Sequence, residues 1–299
     1  MNCAVRTQNL SKKFRRVDAL NGLNLEVPEG SIYALVGPNG AGKTTAIKTL
    51  MNIFRPTAGK AEVLGVEAGR LSPREFARIG YVSENQEMPD WMTVEYFLAY
   101  LKPFYGNWES ALAEELVQRF ELPLDRKLGK LSRGMRVKAA LASSLAYRPQ
   151  LIVLDEPFTG LDALVRDQLI EGLLVRAASA TVLISSHDLA EIESFASHIG
   201  YLDQGTLRFS EELNSLVQRF REVEVTFGTP PVLPADWPES WMRPDTSAAV
   251  LRFVDSHFDR EQTSLEIRRR FDGIRNVSFN PMTLRAIFVT LAKAANRAA

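Results

Sequence analysis

Residues 37–44 read Gly37-Pro38-Asn39-Gly40-Ala41-Gly42-Lys43-Thr44, the complete phosphate-binding pattern G-x-x-x-x-G-K-[ST]. Glycines let backbone N–H groups turn inward and close on a phosphate chain. The helix expected behind them, from Thr45 onward, aims its positive end at the same anion. Lys43 is placed to reach the terminal phosphates, and the Thr44 hydroxyl to ligate Mg²⁺. A second set lies further on, where Leu151-Ile152-Val153-Leu154-Asp155-Glu156 puts two acids after four apolar residues. A buried strand would deliver both carboxylates to its tip, beside the phosphate loop. Asp155 then suits a water-bridged Mg²⁺. Glu156, one residue further, suits a base that polarises an attacking water.

These residues need elements to hold them. Ile32–Val36 reads as a buried strand leading into the loop, and further strands are expected at Ile79–Val82, Leu151–Leu154 and Thr181–Ser185. The last two are almost wholly apolar, as strands covered on both faces are. Alternating strand-like and helix-like segments over about 1–210 predict an α/β fold with a P-loop NTPase core. A helical subdomain is expected at about 88–147. There Tyr96, Phe97, Tyr100, Leu101 and Phe104, then Leu112, Leu116, Val117 and Phe120, recur at helical spacing. Such stripes read first as helix core.

Tyr201–Leu207 reads as a hairpin turning at Gly205. The texture then changes. A helix is expected over Glu211–Arg221, and strands at Glu222–Phe227, Ala249–Val254 and Val277–Phe279. Further helices are expected near Leu265–Phe271 and over Leu284–Ala295. Pro230, Pro231, Pro234, Pro238 and Pro244 mark a long irregular stretch. Leu284, Ile287, Phe288 and Leu291 share one face of the closing helix, which must be buried, while Arg275, Arg285, Lys293 and Arg297 make its surroundings basic.

The 299 residues carry 36 Lys and Arg against 36 Asp and Glu, so no basic excess points to nucleic acid, and none is expected as a partner. Cys3 alone can form no internal disulfide or cysteine-cluster zinc site, which suits a reducing cytoplasm. No signal-like apolar core opens the chain, and no run approaches the roughly 18 apolar residues of a membrane span. Any membrane association is therefore expected through another chain.

Taken together, the motifs over about residues 4–213 resemble the ATP-binding subunits of ABC transporters, most of all the bacterial exporter type. Leu131-Ser132-Arg133-Gly134-Met135 sits where that family has its LSGGQ signature, and Asp155 follows at a similar spacing. Gly160-Leu161-Asp162 resembles the D-loop, His187 the switch histidine, and Phe14 the aromatic that stacks on adenine. The resemblance implies an ATP-binding domain at 1–213, and the change of texture beyond it reads as a small C-terminal α+β accessory domain at 214–299. It also implies ATP and Mg²⁺ as ligands, with Gly37–Thr45 of one chain facing Ser132–Met135 of a second.

Four positions depart from the family, the least of them Ala163, which replaces the Pro that commonly follows the D-loop aspartate. Arg133 replaces the first signature glycine; it either points outward or pairs with a phosphate or an acid across a dimer. Met135 stands in place of the last signature residue, while Ser132 and Gly134 remain, and Ser132 is a good helix N-cap. Glu84 stands at the Q-loop position, where it can still serve Mg²⁺ or water. Gln86 takes that role only if the loop register slips. Thr44, Glu84 and Asp155 are thus the expected metal-side residues, and Glu156 and His187 the catalytic ones.

The implied function is ATP hydrolysis by a homo- or heterodimer that powers movement, expected to be export, through a polytopic permease on the inner face of the cell membrane. The rival is a soluble ATPase of the same type acting on a ribosome or DNA. One phosphate loop and no coiled-coil insertion weigh against it. A third reading, a binding-only regulator, is opposed by Glu156.

Overall fold

The computed structural model describes residues 2–84, 86–177, 179–234 and 236–295. From the N-terminus come β1 (Cys3–Phe14), β2 (Val17–Leu23), β3 (Glu26–Pro28), β4 (Ile32–Val36) and helix α1 (Lys43–Leu50). Then follow β5 (Ala58–Val63), β6 (Val66–Glu67), the short α2 (Pro73–Phe76) and β7 (Ile79–Ser83). Three α-helices, α3 (Val94–Leu101), α4 (Ser110–Arg119) and α5 (Arg133–Leu145), separate β7 from β8 (Leu151–Asp155). After β8 come α6 (Ala163–Ala177), β9 (Thr181–Ser186), α7 (Leu189–Ile192) and the hairpin β10 (His198–Asp203) with β11 (Thr206–Glu212).

The apolar runs of β4, β7, β8 and β9 are neighbours in a six-stranded sheet of order β11-β10-β4-β9-β8-β7. No residue from Leu151 to Leu154 or from Val182 to Ile184 is more than 1% exposed, so both faces are covered. Each such buried Leu, Ile or Val contributes about 2 kcal/mol of transfer free energy. The parallel register places Val36 opposite Ser186, Ser185 opposite Asp155, and Asp155 opposite Ser83. Four strands therefore end on one row, and the loops that follow them share one edge of the sheet.

Beside it stands a five-stranded antiparallel sheet of order β2-β1-β5-β6, with β3 also on β1. The sequence reading did not anticipate it. The β10–β11 hairpin turns at Gln204 and Gly205, with φ of 47° and 74°, the positive pair that a tight two-residue hairpin requires.

In the helical segment the expected stripe splits. Leu112, Leu116, Val117, Phe120 and Phe97 are buried as helix core, but Tyr96, Tyr100 and Phe104 are exposed, as is Trp91 just before them. Trp91 packs on Tyr96 and Tyr100 on Phe104 at ring distances of 5.8 and 5.5 Å.

The chain divides into two units, Met1–Ser210 and Glu211–Ala299. The division falls slightly before the expected 213/214, because Glu211 already pairs with Arg219 at 2.7 Å. The second unit holds α8 (Leu213–Arg219), β12 (Arg221–Phe227), β13 (Trp241–Ser247), β14 (Val250–Asp255), α9 (Arg260–Arg270), β15 (Ile274–Pro281) and α10 (Leu284–Ala295). Its sheet is antiparallel, in the order β13-β14-β12-β15.

Pro244, expected in an irregular stretch, lies inside β13. It is tolerated because β13 is an edge strand whose register shifts between Met242 and Asp245. In α10, Leu284, Ile287 and Phe288 are buried, and the helix touches β13. Arg297 lies outside the described residues.

Candidate functional site

The buried strand β4 delivers the chain to Gly37, where a side chain is impossible: a Cβ would stand 2.0 Å from the Leu202 carbonyl oxygen. Gly42, with φ of 107°, caps α1 from the left-handed region, and a Cβ there would meet the Ala19 carbonyl at 2.4 Å. Between these two fixed points the loop stays open. Asn39, Gly40, Ala41, Lys43, Thr44 and Thr45 line a cleft of about 650 Å³, a size typical of small-ligand sites.

Lys43 opens α1 and is nearly buried. Its Nζ donates to the carbonyls of Gly37 at 2.7 Å and Pro38 at 3.2 Å, and pairs with Glu156 Oε1 at 3.1 Å. The ammonium thus lies inside the glycine cradle. Thr44 Oγ1 donates to Asp155 Oδ1 at 3.0 Å.

Asp155 ends β8 and is buried. Ser185, its cross-strand neighbour on β9, donates to the same Oδ1 at 2.7 Å and accepts the Glu156 N–H at 3.0 Å. Burial raises the Asp155 carboxyl above the usual carboxylate range. The Ser185 and Thr44 hydroxyls pull it back, and the Glu156 charge adds to the rise.

Glu156 has φ of 52°, left-handed for a residue with a Cβ, a strain of about 1–2 kcal/mol that clusters at working sites. Its Oε2 accepts from Thr159 Oγ1 at 3.2 Å and lies 2.7 Å from His187 Nδ1. Burial would raise its carboxyl too, but the His187 hydrogen bond and the Lys43 ammonium outweigh it and hold the group below the usual range. The two neighbouring acids are thus pushed in opposite directions, and Glu156 faces the cleft.

Glu84 follows β7, is tied to the strand row by its N–H to the Asp155 carbonyl at 2.9 Å, and lines the same cleft as Glu156 and His187. Phe14 does not line it. Its ring meets Phe54 edge-on at 5.2 Å, with Lys12 Nζ 4.8 Å above. The wall on that side is Val17, Asp18 and Ala19.

The signature segment and Asp162 form a second group that does not line the cleft. Ser132 caps α5, accepting from the Met135 N–H at 3.3 Å, as expected of an N-cap. Gly134 packs so closely on α6 that a Cβ would meet Val165 Cγ1 at 2.8 Å. Asp162 Oδ1 accepts the Val165 N–H at 2.9 Å. Arg133 is 46% exposed, and its Nη2 lies 2.6 Å from Glu84 Oε1 in the same chain.

Ser185 and Thr159, which hold the two acids, were not singled out in the sequence. Thr159 carried a signal, being a hydroxyl three residues after Glu156 in the turn that follows β8. The Ser185 contact depends on strand register and carried none.

Among the described residues no group of three or more His, Cys, Asp or Glu side chains is arranged to hold a metal alone. Mg²⁺ takes one or two carboxylates and completes its shell with phosphate oxygens and water. Thr44, Asp155 and Glu84 are all oxygen donors of that kind.

A parallel strand row, a glycine loop before a helix and two acids at a neighbouring strand tip define a P-loop nucleotide triphosphatase. Residues 20–159 match the family described as ABC transporter. The daunorubicin resistance ATP-binding protein DrrA2 of Streptomyces coeruleorubidus is 37% identical over 209 residues, covering 68% of this chain and 65% of its own. This chain thus spans about two thirds of that relative. The daunorubicin/doxorubicin resistance ATP-binding protein DrrA of Streptomyces peucetius is 30% identical over 305 residues, covering 96% of this chain and 92% of its own.

A solved ATP-binding cassette, dimeric and in a post-hydrolysis state with ADP and phosphate, superposes with a TM-score of 0.61. It is 26% identical and covers 70% of this chain and 98% of its own. The chain belongs to the ABC transporter family, as an ATP-binding, ATP-hydrolysing subunit.

Proposed function

We propose that this chain is the motor of an exporter, hydrolysing ATP as one of two subunits that close on two nucleotides and so drive a separate polytopic permease. The observation that carries the reading is the Glu156 carboxylate, held between Lys43 and His187 at the floor of the glycine-loop cleft. Lys43 moves from Glu156 onto the terminal phosphates when ATP enters. Glu156, released from its cation, takes a proton from the attacking water, and His187 bonds the γ-phosphate. Thr44, Asp155 and Glu84 are the residues that would hold Mg²⁺, which would supply charge neutralisation of the phosphates.

Gly37–Thr45 of one subunit faces Ser132–Met135 and Asp162 of the other, so nucleotide forms part of the interface. Closure then shifts a bound permease between two states by differential binding. Phe14 reaches adenine only by leaving Phe54; Val17 already forms part of that wall.

Resistance relatives of daunorubicin type favour export, and the exposed cluster of Trp91, Tyr96, Tyr100 and Phe104 favours a protein partner. No described helix is long and apolar enough to cross a membrane, so attachment to the inner membrane face runs through the permease. The second unit acts as an accessory to dimerisation or regulation.

The test is partnership. Cysteines at Trp91 and Phe104 should cross-link to a polytopic membrane protein when membranes are isolated. Recovery only with ribosomes or DNA would favour the soluble rival.

A further inference from the structure

Arg133 and Glu84 are two positions at which the sequence leaves the family pattern, and in the structure they meet. Each charge is out of place alone. Arg133 is the first residue of α5, where a cation opposes the positive end of the helix, and the first turn of α5 holds no acid of its own. Glu84 adds a negative charge to a phosphate cleft that already holds Glu156. Each is the other's counterion.

The surroundings favour exchange over permanence. The two side chains are 46% and 31% exposed, and ion pairs that wet are weak. The Glu84 backbone is pinned to Asp155, so its side chain can swing while its Cα stays. The Arg133 guanidinium also lies against the D-loop: a Cβ on Gly160 would stand 3.3 Å from Nη1. A small cavity of about 220 Å³ is lined by Glu84, Arg133 and Gln86 together. Gln86 Oε1 is buried there without a hydrogen-bond partner among the described residues. A buried orphan acceptor beside a guanidinium is a second seat for it.

We infer that Arg133 is a positioning residue that holds Glu84 off the metal side of the nucleotide cleft, and that the pair exchanges on loading. Glu84 leaves Arg133 for the cation, and Arg133 moves onto Gln86 Oε1. The signature helix, the Q-loop position and the D-loop then respond together to one event in the cleft. This rests on the reading of that cleft as an ATP and Mg²⁺ site.

The experiment is equilibrium binding of a fluorescent ATP analogue to the full chain, titrated with Mg²⁺. Arg133→Gln frees Glu84 and should lower the Mg²⁺ midpoint about 2–5-fold, the worth of an exposed ion pair. Arg133→Lys keeps the charge and should stay near wild type. Glu84→Gln should raise the midpoint, and adding Arg133→Gln to it should then change nothing further. An unchanged midpoint in Arg133→Gln, or the same shift with and without Glu84, would overturn the exchange while leaving the ATP site standing. A wild-type chain that binds the analogue at no Mg²⁺ concentration would overturn the cleft reading itself.

Discussion

Lys43 Nζ and Glu156 Oε1 stand 3.1 Å apart, both nearly buried. On the function proposed above, the cation that would take phosphate and the acid that would take a proton from water neutralise each other until a nucleotide separates them. A phosphate chain entering the glycine cradle would offer Lys43 a stronger anion and leave Glu156 without that cation.

Lys43→Ala should therefore act twice. Nucleotide affinity should fall about 10–100-fold, the loss of a charged hydrogen bond. The nucleotide-free fold should lose about 2–3 kcal/mol in urea titrations, since a buried carboxylate loses one of its three side-chain partners. Unchanged affinity in a folded variant would remove Lys43 from the phosphate site.

Glu191 supplies a pH test. It accepts from Ser186 Oγ at 3.0 Å and pairs with Arg166 at 3.3 Å, joining α7 to α6. Burial, and after it the Asp188 charge, raises its carboxyl above the usual range against those two partners. A raised folded value means that the contribution of Glu191 is fully present below the unfolded pKa of about 4.3 and is lost as pH rises through the folded value. Glu191→Gln should gain on wild type as pH rises from about 4.3 through the raised folded value. A variant that loses ground over that interval would show the ion pair to dominate.

A chain ending at Ser210 should bind ATP with nearly unchanged affinity, because every residue placed at the cleft precedes that point. Its dimerisation or response to a partner should differ from that of the full chain. Loss of ATP binding in a truncated chain still folded by circular dichroism would contradict the assignment of residues 211–295 as an accessory.

Much of the site was legible because its chemistry is local in sequence. Gly37–Thr44 and Leu151–Glu156 each carry their own strand, loop and charged tip, so residue type and spacing suffice. The antiparallel sheet was not legible. β1 is half-buried, broken by register shifts and studded with Asn9, Lys12 and Lys13, so it lacks the apolar runs of β8 and β9. β13 was hidden by Pro244. The aromatic stripe of α3 had the right period but two faces, with Phe97 turned to the core and Tyr96 and Tyr100 to solvent. The partner of Arg133 lay 49 residues away, a distance only the fold closes.

The most direct measurement is the fate of ATP on Glu156→Gln. Gln keeps the shape of the side chain and removes the base. The variant should bind ATP with near wild-type affinity, lose about 10²–10⁴-fold in turnover, and accumulate as a dimer whose extracted nucleotide is ATP. ADP recovered from the variant at the wild-type rate would contradict the account.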